Sequence, residues 1–270
     1  MWSTFVKLTA GMIFLGAIMA VGLVLLVLLL PFRVARIRLT NAFGHVVGRG
    51  IMWISRCPIV VEGFENIPSQ RPVIFCGNHT SIFDAFTSIW LSPLGTVGVA
   101  KRQILYYPFY GFIFWLAGHL LVDRARTDRA KQGLERMSQF VVRNKLHIFM
   151  WPEGTRAADG RLRPFKKGIG HLALSTRYPI VPMVTVGAHR AWVKSGLRLA
   201  KVPIAIRFLP PIETEAWQIE TLDQHIEGLY VTFRSALPLD QQPHLDQQPH
   251  LDQQPHLNEQ PQKITGPAGE

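Results

Sequence analysis

The chain has 270 residues and a mass of 30.5 kDa; 48% of its residues are hydrophobic, 17% are charged, and the mean hydropathy is +0.15. These values exclude a disordered or fibrous chain and favour a membrane-associated protein. The formal net charge of +11 is unevenly distributed: residues 1–212 carry 27 basic and 8 acidic side chains, whereas residues 213–270 carry 2 and 10. A basic body indicates an anionic partner, either nucleic acid or a phospholipid surface.

The N-terminal segment is strongly apolar, with no charged side chain between Leu8 and Leu30. A helix of that length is about 34 Å long and exceeds a hydrocarbon core of about 30 Å. We expect residues 1–32 to form an uncleaved membrane anchor, because no small-residue cleavage site of a signal peptide follows the run. A helix confined to one leaflet is the alternative. Arginines cluster after the run, which predicts that the remainder of the chain is cytoplasmic.

Residues 33–57 alternate arginines with apolar side chains. This spacing predicts an amphipathic helix that lies on anionic headgroups with its arginine stems extended outward. An ordinary surface helix that covers the following domain is the alternative interpretation.

The chain contains two cysteines, Cys57 and Cys76. Two cysteines are too few to staple a chain of this size, and both lie beside apolar or β-branched residues. We expect buried free thiols in a reducing compartment, with a disulfide or a metal site as the alternative.

Short apolar runs alternate with helical patterns over residues 58–238. This alternation predicts a single α/β domain with a mostly parallel, mixed sheet flanked by helices. We expect strands near residues 59–62, 73–76, 96–100, 119–122, 146–150, 180–186 and 204–209, and helices near residues 82–91, 109–116, 129–143, 168–176 and 215–235. In the tail, residues 239–270, the hexapeptide Leu-Asp-Gln-Gln-Pro-His occurs three times in succession and then degenerates. This low-complexity composition predicts disorder. A repeat generated by slippage and without function is the favoured interpretation, and metal binding by its regularly spaced histidines is the alternative.

The first motif with chemical content is Gly-Asn-His-Thr-Ser-Ile-Phe-Asp at residues 77–84, between a predicted strand and a predicted helix. Open α/β sheets place their active sites at such turns. The spacing lets the Asp84 carboxylate turn back toward His79, fix the tautomer of the imidazole and leave its other nitrogen basic. Alternatively, Thr80 or Ser81 caps the N-terminus of that helix.

The second motif is Glu153-Gly154-Thr155-Arg156, which also follows a predicted strand. The glycine lets the backbone approach a ligand closely, and the arginine supplies a planar fork of donors suited to phosphate. A turn with an ion pair is the alternative interpretation.

Four blocks in this order resemble the lysophospholipid acyltransferase family, most closely its bacterial 1-acyl-glycerol-3-phosphate acyltransferases. The two motifs above match the family's catalytic Asn-His-x4-Asp block and its Glu-Gly-Thr-Arg block, which binds the glycerol phosphate of the acceptor. Leu121-Val122-Asp123-Arg124 resembles the Phe-Ile-Asp-Arg-like block that lies between them, and Ile180-Val181-Pro182-Met183 resembles the last, apolar block. The resemblance covers roughly residues 60–211, and the repeated tail lies outside it.

The resemblance implies transfer of a fatty acyl group from a thioester, on coenzyme A or acyl carrier protein, to the free hydroxyl of lysophosphatidic acid. It implies His79 as general base and Asp84 as its orienting acid. Phosphate is implied to bind at Glu153, Gly154, Thr155 and Arg156, with Arg124 and Lys101 as further ligands. No metal or other cofactor is implied, because thioesters are already activated acyl donors.

The implied location is the bacterial inner membrane, with the catalytic domain on its cytoplasmic face, where anionic lipids and both substrates meet; nucleic acid is not an expected partner. Acylation of another lysolipid, such as a lyso-ornithine lipid, is one alternative. The other is a non-catalytic membrane protein that binds anionic lipid, which explains the charge and the anchor but not the paired blocks.

Overall fold

The computed structural model describes residues 2–107, 110–122, 127–157, 159–192 and 199–243. Within these residues seven strands form one sheet in the order β1-β7-β6-β2-β5-β3-β4. Neighbouring strands are parallel except β6 and β7, which are antiparallel. The predicted α/β domain with a mostly parallel sheet is therefore confirmed. The strands are β1 (Ile59–Glu62), β2 (Ile74–Gly77), β3 (Thr96–Lys101), β4 (Leu120–Val122), β5 (His147–Met150), β6 (Ile180–Val186) and β7 (Ile204–Phe208).

Helices cover both faces of the sheet, and the alternation of side chains along its central strands explains why. In β2, Ile74 contributes to a buried cluster with the helices α5, α6 and α8, whereas Phe75 contributes to a second cluster with α2 and α3. Burial on both faces accounts for the near-continuous apolar runs of β2 and β6. The helices are α1 (Trp2–Leu28), α2 (Arg33–Ser55), α3 (Phe83–Leu91), α4 (Tyr110–Leu116), α5 (Thr127–Arg143), α6 (Gly168–Thr176), α7 (Ala188–Ala191) and α8 (Leu222–Ala236).

The largest difference from the predicted elements is the start of α8, which begins at Leu222 rather than at residue 215. Thr214 is fully buried, and its hydroxyl donates a hydrogen bond to the Tyr178 carbonyl. Trp217 is also buried and stacks on His225 with ring centroids 4.5 Å apart. These anchors hold residues 214–217 in a turn against the domain, so the helix starts only after them.

The C-terminal segment also differs from its prediction. Leu239–Gln241 form a turn of 3-10 helix, and Gln241 is fully buried, although disorder was expected from residue 239 onward. Composition missed this because the segment is held by hydrogen bonds from its glutamines rather than by apolar side chains. Residues 244–270 lie outside the described part of the chain.

The helices α1 and α2 form an antiparallel hairpin. The Lys7 ammonium, near the start of α1, donates a hydrogen bond to the Ser55 carbonyl at the end of α2, at 3.0 Å. Phe14 packs over Gly50, and Phe43 packs over Gly22 further along the pair. Within the described residues, α1 is the one helix that is long enough and apolar enough to cross a membrane, judged by length and composition alone.

The helix α2 packs against the domain along α3, and the expected contact of its outer face with headgroups stays a prediction. Arg33 donates from Nε to the Gly118 carbonyl at 2.9 Å, and its guanidinium lies 4.1 Å from the centre of the Phe140 ring. Arg36 binds the Leu116 carbonyl. These two arginines therefore face protein rather than extend outward toward headgroups.

The contact between α2 and α3 depends on a glycine. A Cβ at Gly48 would overlap the Phe86 carbonyl oxygen and lie 2.6 Å from the Trp90 Cβ. Because one of these atoms belongs to the backbone of α3, a side-chain movement cannot relieve the overlap. The absence of a Cβ at residue 48 thus sets how closely the N-terminal hairpin approaches the domain.

We expect Gly48→Ala to lower the unfolding free energy by about 1–3 kcal/mol, the usual cost of overpacking a tight contact. Gly228→Ala is the matched control, because an added Cβ there meets nothing within 4 Å. Its greater helix propensity should stabilise α8 by about 0.5–1 kcal/mol. Thermal unfolding in detergent micelles measures both, and equal shifts for the two variants would contradict the packing role of Gly48.

Candidate active site

The first motif forms a hydrogen-bonded imidazole–carboxylate pair at the carboxyl end of β2. The distance from His79 Nδ1 to Asp84 Oδ2 is 3.2 Å. The Asp84 side chain is 2% exposed and that of His79 is 16% exposed. With Nδ1 bound to the carboxylate, Nε2 is the ring nitrogen left to accept a proton.

The carboxylate of Asp84 also organises the turn that carries the histidine. Its Oδ2 accepts hydrogen bonds from the backbone N–H groups of Thr80 and Ser81, the latter at 2.7 Å. Asp84 lies in the first turn of α3, and the Ser81 hydroxyl, named above as an alternative cap, accepts the Phe83 N–H at 3.4 Å. Ser81 is fully buried, and its hydroxyl donates to the Trp192 carbonyl, 3.1 Å away.

The second motif meets the first through the backbone of His79. The Glu153 carboxyl accepts the His79 N–H at 2.7 Å, and the Ala157 N–H donates to the His79 carbonyl at 2.8 Å. The Trp151 ring stacks on the imidazole with centroids 4.3 Å apart and an interplanar angle of 17°. The adjacent parallel strands β2 and β5 make this possible, since Cys76 pairs with Met150 and both strands end beside each other.

Glu153 faces the interior rather than the surface. Its side chain is 2% exposed, and its second oxygen has no hydrogen-bond partner. Burial raises the pKa of Glu153 to about 8, and the charge of Asp84 adds to the rise, against the opposing hydrogen bond from the His79 N–H. In the structure Glu153 holds the His79 backbone. Its contact with the acceptor stays a prediction.

The remaining residues of the second motif lie on the loop that links β5 to α6. Gly154 adopts a positive φ of 75°, a conformation that favours glycine and closes the turn from Trp151 to Gly154. Thr155 is exposed, and its hydroxyl accepts a hydrogen bond from Arg163 at 3.1 Å. Arg156 is half-buried and directly precedes Ala157, which is bound to His79. The fold thus brings the base and the loop bearing Arg156 to one edge of the sheet.

The two remaining candidate phosphate ligands, Lys101 and Arg124, lie outside the two motifs. Lys101 is the last residue of β3, half-buried, and lies at the same carboxyl edge as the ends of β2 and β5. Arg124 lies outside the described residues, so its predicted role is not tested.

Two supporting residues were missed in the sequence. Asn78 is buried and forms a pair of hydrogen bonds with Thr185 of β6: its Nδ2 donates to the Thr185 carbonyl at 2.9 Å and its Oδ1 accepts the Thr185 N–H at 2.7 Å. This pair prolongs the contact between β2 and β6 beyond Gly77. Trp151, between β5 and Glu153, supplies the face on which the imidazole rests. Their positions next to the two motifs are a signal, but only the fold reveals their partners.

The site therefore combines an imidazole oriented by a carboxylate, a stacked aromatic ring and an adjacent loop that carries an arginine. It has the parts needed to remove a proton from an alcohol bound beside His79. These features suit an acyltransferase of the α/β class, and residues 58–186 match the family model described as Acyltransferase.

Similar proteins of known name identify the family more precisely. The chain is 42% identical over 219 residues to a 1-acyl-sn-glycerol-3-phosphate acyltransferase of Limnanthes douglasii, covering 81% of this chain and 77% of that protein. It is 30% identical over 196 residues to the enzyme of the same name from Salmonella typhimurium, covering 69% and 76%. The chain belongs to the 1-acyl-sn-glycerol-3-phosphate acyltransferase family. The fold resembles the crystal structure of the 1-acyl-sn-glycerophosphate acyltransferase PlsC from Thermotoga maritima, with a TM-score of 0.60, 23% identity and coverage of 73% and 78%.

The raised pKa of Glu153 gives a prediction for stability. An acid that ionises near pH 4.5 when unfolded but near pH 8 when folded favours folding at low pH, so the wild type loses stability as the pH rises from about 5 to 8. Glu153→Gln removes this ionisation and should flatten that decline by about 1–3 kcal/mol. Thermal unfolding at pH 5 and pH 8 measures the difference in slope.

Glu65→Gln is the control for that measurement, because Glu65 is exposed. It should leave the pH dependence of unfolding unchanged. A constant offset between Glu153→Gln and the wild type across this pH range would mean that Glu153 is ionised in the folded protein.

Proposed function

We propose that this chain transfers a fatty acyl group from a thioester to the free hydroxyl of 1-acyl-glycerol-3-phosphate and so forms phosphatidic acid. The observation that carries the proposal is the pair of hydrogen bonds by which Glu153 and Ala157 hold the backbone of His79. It keeps the proposed base beside the loop that bears Arg156. The names of the relatives supply the acceptor.

In the proposed reaction, His79 Nε2 accepts the proton of the acceptor hydroxyl as its oxygen attacks the thioester carbonyl carbon. Asp84, on the other ring nitrogen, stabilises the imidazolium that forms. Collapse of the tetrahedral intermediate breaks the carbon–sulfur bond, and the imidazolium returns the proton to the leaving thiolate. The products are the ester and a free thiol, so protons and electrons balance without a metal or a covalent enzyme intermediate.

The phosphate of the acceptor is assigned to Arg156, with Thr155 and the backbone at Gly154 as neighbouring donors. A guanidinium binds phosphate through two parallel hydrogen bonds, and fixing the phosphate also fixes the hydroxyl near His79. A largely neutral Glu153 beneath this loop adds little repulsion toward a phosphate. Lys101 and Arg124 remain proposed as further phosphate ligands.

The acyl donor is proposed to be acyl-CoA or acyl carrier protein. Both are polyanionic, and the +19 balance of residues 1–212 (27 basic minus 8 acidic) favours their approach to the domain. The donor is a substrate, so no resident cofactor is proposed.

We propose that the α1–α2 hairpin embeds in the leaflet nearest the catalytic domain, on the cytoplasmic side of the inner membrane. The outward side chains of α1 are apolar and exposed, including Phe5, Met12 and Ile13. Yet α1 packs along α2, and α2 packs along α3. A spanning α1 would have to leave α2 or draw the domain into the bilayer, which favours the one-leaflet alternative over the expected spanning anchor.

Variants of the catalytic pair test the reaction. His79→Ala should lower kcat by about 10²- to 10⁴-fold, the usual contribution of a general base, and Asp84→Asn should also lower kcat strongly. The assay follows thiol release from acyl-CoA with lysophosphatidic acid as acceptor, and unfolding temperatures verify folding. His171→Ala, on helix α6, is the control. An active His79→Ala protein would refute the proposed base.

The same assay separates acceptor binding from chemistry. Arg156→Ala should raise KM for lysophosphatidic acid by about 10- to 100-fold, as expected for loss of about 1.5–3 kcal/mol from a charged hydrogen bond. Arg143→Ala, an exposed arginine at the end of α5, is the matched control. Turnover of lyso-ornithine lipid without turnover of lysophosphatidic acid would contradict the proposed acceptor.

The membrane arrangement is tested by labelling with an impermeant maleimide. Ser3→Cys near the start of α1 and Glu65→Cys on the domain should both react only after the inner membrane of expressing bacteria is opened. Both native cysteines are buried, so their background is low. Labelling of the Ser3→Cys protein in intact spheroplasts would mean that α1 spans the bilayer.

A further inference from the structure

An arginine outside both motifs contacts the loop that carries the second motif. The Arg163 guanidinium donates a hydrogen bond from Nη1 to the Thr155 hydroxyl at 3.1 Å, and both side chains are exposed. Thr155 directly precedes Arg156 in the chain. Arg163 therefore lies beside the residues to which the phosphate of the acceptor is assigned above.

The backbone on either side of Arg163 is restrained. Leu162 is buried in the core cluster that includes α6 and α8, and its N–H donates to the Gln241 carbonyl at 2.9 Å. Pro164 follows, and its ring restricts the backbone on the other side. The guanidinium is thus carried by a backbone that is fixed against the domain, although the side chain itself reaches the surface.

The positive charge of Arg163 has no carboxylate bound to it. Among the described residues, the ion pairs do not include Arg163. Burial raises the pKa of Glu153, and the charge of Arg163 acts against that rise, so the guanidinium lies within electrostatic reach of the carboxyl that holds His79. Because Glu153 is largely neutral near pH 7, it leaves most of this positive charge to attract a ligand.

The contact between Arg163 and Thr155 leaves donors for a ligand. A guanidinium has five N–H donors, and the bond to Thr155 uses one of them. The Thr155 hydroxyl accepts that bond and keeps its own hydrogen to donate. The two exposed side chains therefore present several donors at one point on the surface.

The charge of a phosphomonoester suits two guanidinium groups better than one. Such a group carries about −1.5 to −2 charges at pH 7 and has three strong acceptor oxygens. One guanidinium fork binds two oxygens and offsets one charge. A second guanidinium can bind the remaining oxygen and offset the remaining charge, whereas a phosphodiester has no second charge to offset.

We propose that Arg163 is a second phosphate ligand for the acceptor, and that together with Arg156 it makes the site selective for lysolipids whose headgroup is a phosphomonoester. This inference rests on the proposed function, which assigns the phosphate to Arg156. It adds the residue that reads the second charge of the phosphate and so distinguishes lysophosphatidic acid from lysolipids with phosphodiester headgroups.

Kinetics with two acceptors test the selectivity. Lysophosphatidic acid and its phosphate methyl ester share the acyl chain and the free hydroxyl, but the ester is a phosphodiester with one negative charge. Arg163→Ala should raise KM for lysophosphatidic acid by about tenfold, as expected for one charged hydrogen bond at an exposed site. Its kcat should stay nearly unchanged, because binding in the ground state and the transition state is lost equally. The KM for the methyl ester should rise by less than about threefold.

Two further variants separate charge from contact. Arg163→Lys keeps the charge but not the fork, so its KM for lysophosphatidic acid should lie between those of the wild type and Arg163→Ala. Lys166→Ala is the matched control, because it removes one exposed positive charge from the same stretch of chain. It should leave the ratio of the two KM values unchanged. Unfolding temperatures verify that each variant folds.

Binding without turnover provides a second measurement. Calorimetric titration of lysophosphatidic acid into the protein in neutral detergent micelles, with no acyl donor present, should give a Kd about tenfold higher for Arg163→Ala than for the wild type. If the wild type binds lysophosphatidic acid in this way but does not acylate it, the proposed reaction fails and the phosphate site stands.

Three results would overturn the inference. A wild type that acylates lysophosphatidic acid, with KM and Kd unaffected by Arg163→Ala, would mean that the phosphate binds elsewhere while the proposed function stands. Equal rises in KM for lysophosphatidic acid and its methyl ester would mean that Arg163 does not read the second charge. A lower unfolding temperature and a lower kcat without a change in KM would make the bond to Thr155 structural only.

Discussion

The site depends on two hydrogen bonds to the backbone of one residue. Glu153 accepts the N–H of His79, and Ala157 donates to its carbonyl. These bonds join the turns after β2 and β5, which the parallel pairing of the two strands has already brought side by side. The imidazole on one turn and the guanidinium on the other then belong to one structural unit, although they are far apart in sequence.

The two carboxyl groups near His79 have opposite tasks because their surroundings differ. Asp84 receives two backbone N–H groups and the imidazole on a single oxygen. Glu153 is 2% exposed and receives the His79 N–H, and its burial raises its pKa to about 8. One acid can thus orient the base while the other supports its backbone and leaves little negative charge beneath the loop with Arg156.

The alternation of apolar runs and helical patterns predicted most of the fold, because the strands of a parallel sheet buried on both faces are near-continuous apolar runs. The bounds of β1, β6 and α6 agree with the prediction, whereas the start of α8 depends on Thr214 and Trp217, whose partners are remote in sequence. The pairing of His79 with Asp84 followed from spacing and resemblance. The inward direction of Glu153 did not, since a motif gives residue types but not the face of the turn on which each lies.

The ordered start of the tail, residues 239–243, could not be predicted from composition either. A prediction from composition expects order only where apolar side chains can be buried. Gln241 is held instead by polar contacts to Gly187 and Leu162, which exist only in the folded domain. A polar, repetitive segment can therefore be ordered where the body supplies matching donors and acceptors.

The glycine contact at residue 48 has a consequence for how the enzyme meets its lipid. Through Gly48 the hairpin grips α3 at Phe86 and Trp90, and the first turn of that same helix carries Asp84. Asp84, the acid proposed to orient His79, thus lies on the helix against which the hairpin packs. If the hairpin embeds in one leaflet as proposed, its depth fixes the height of the imidazole relative to the lipid.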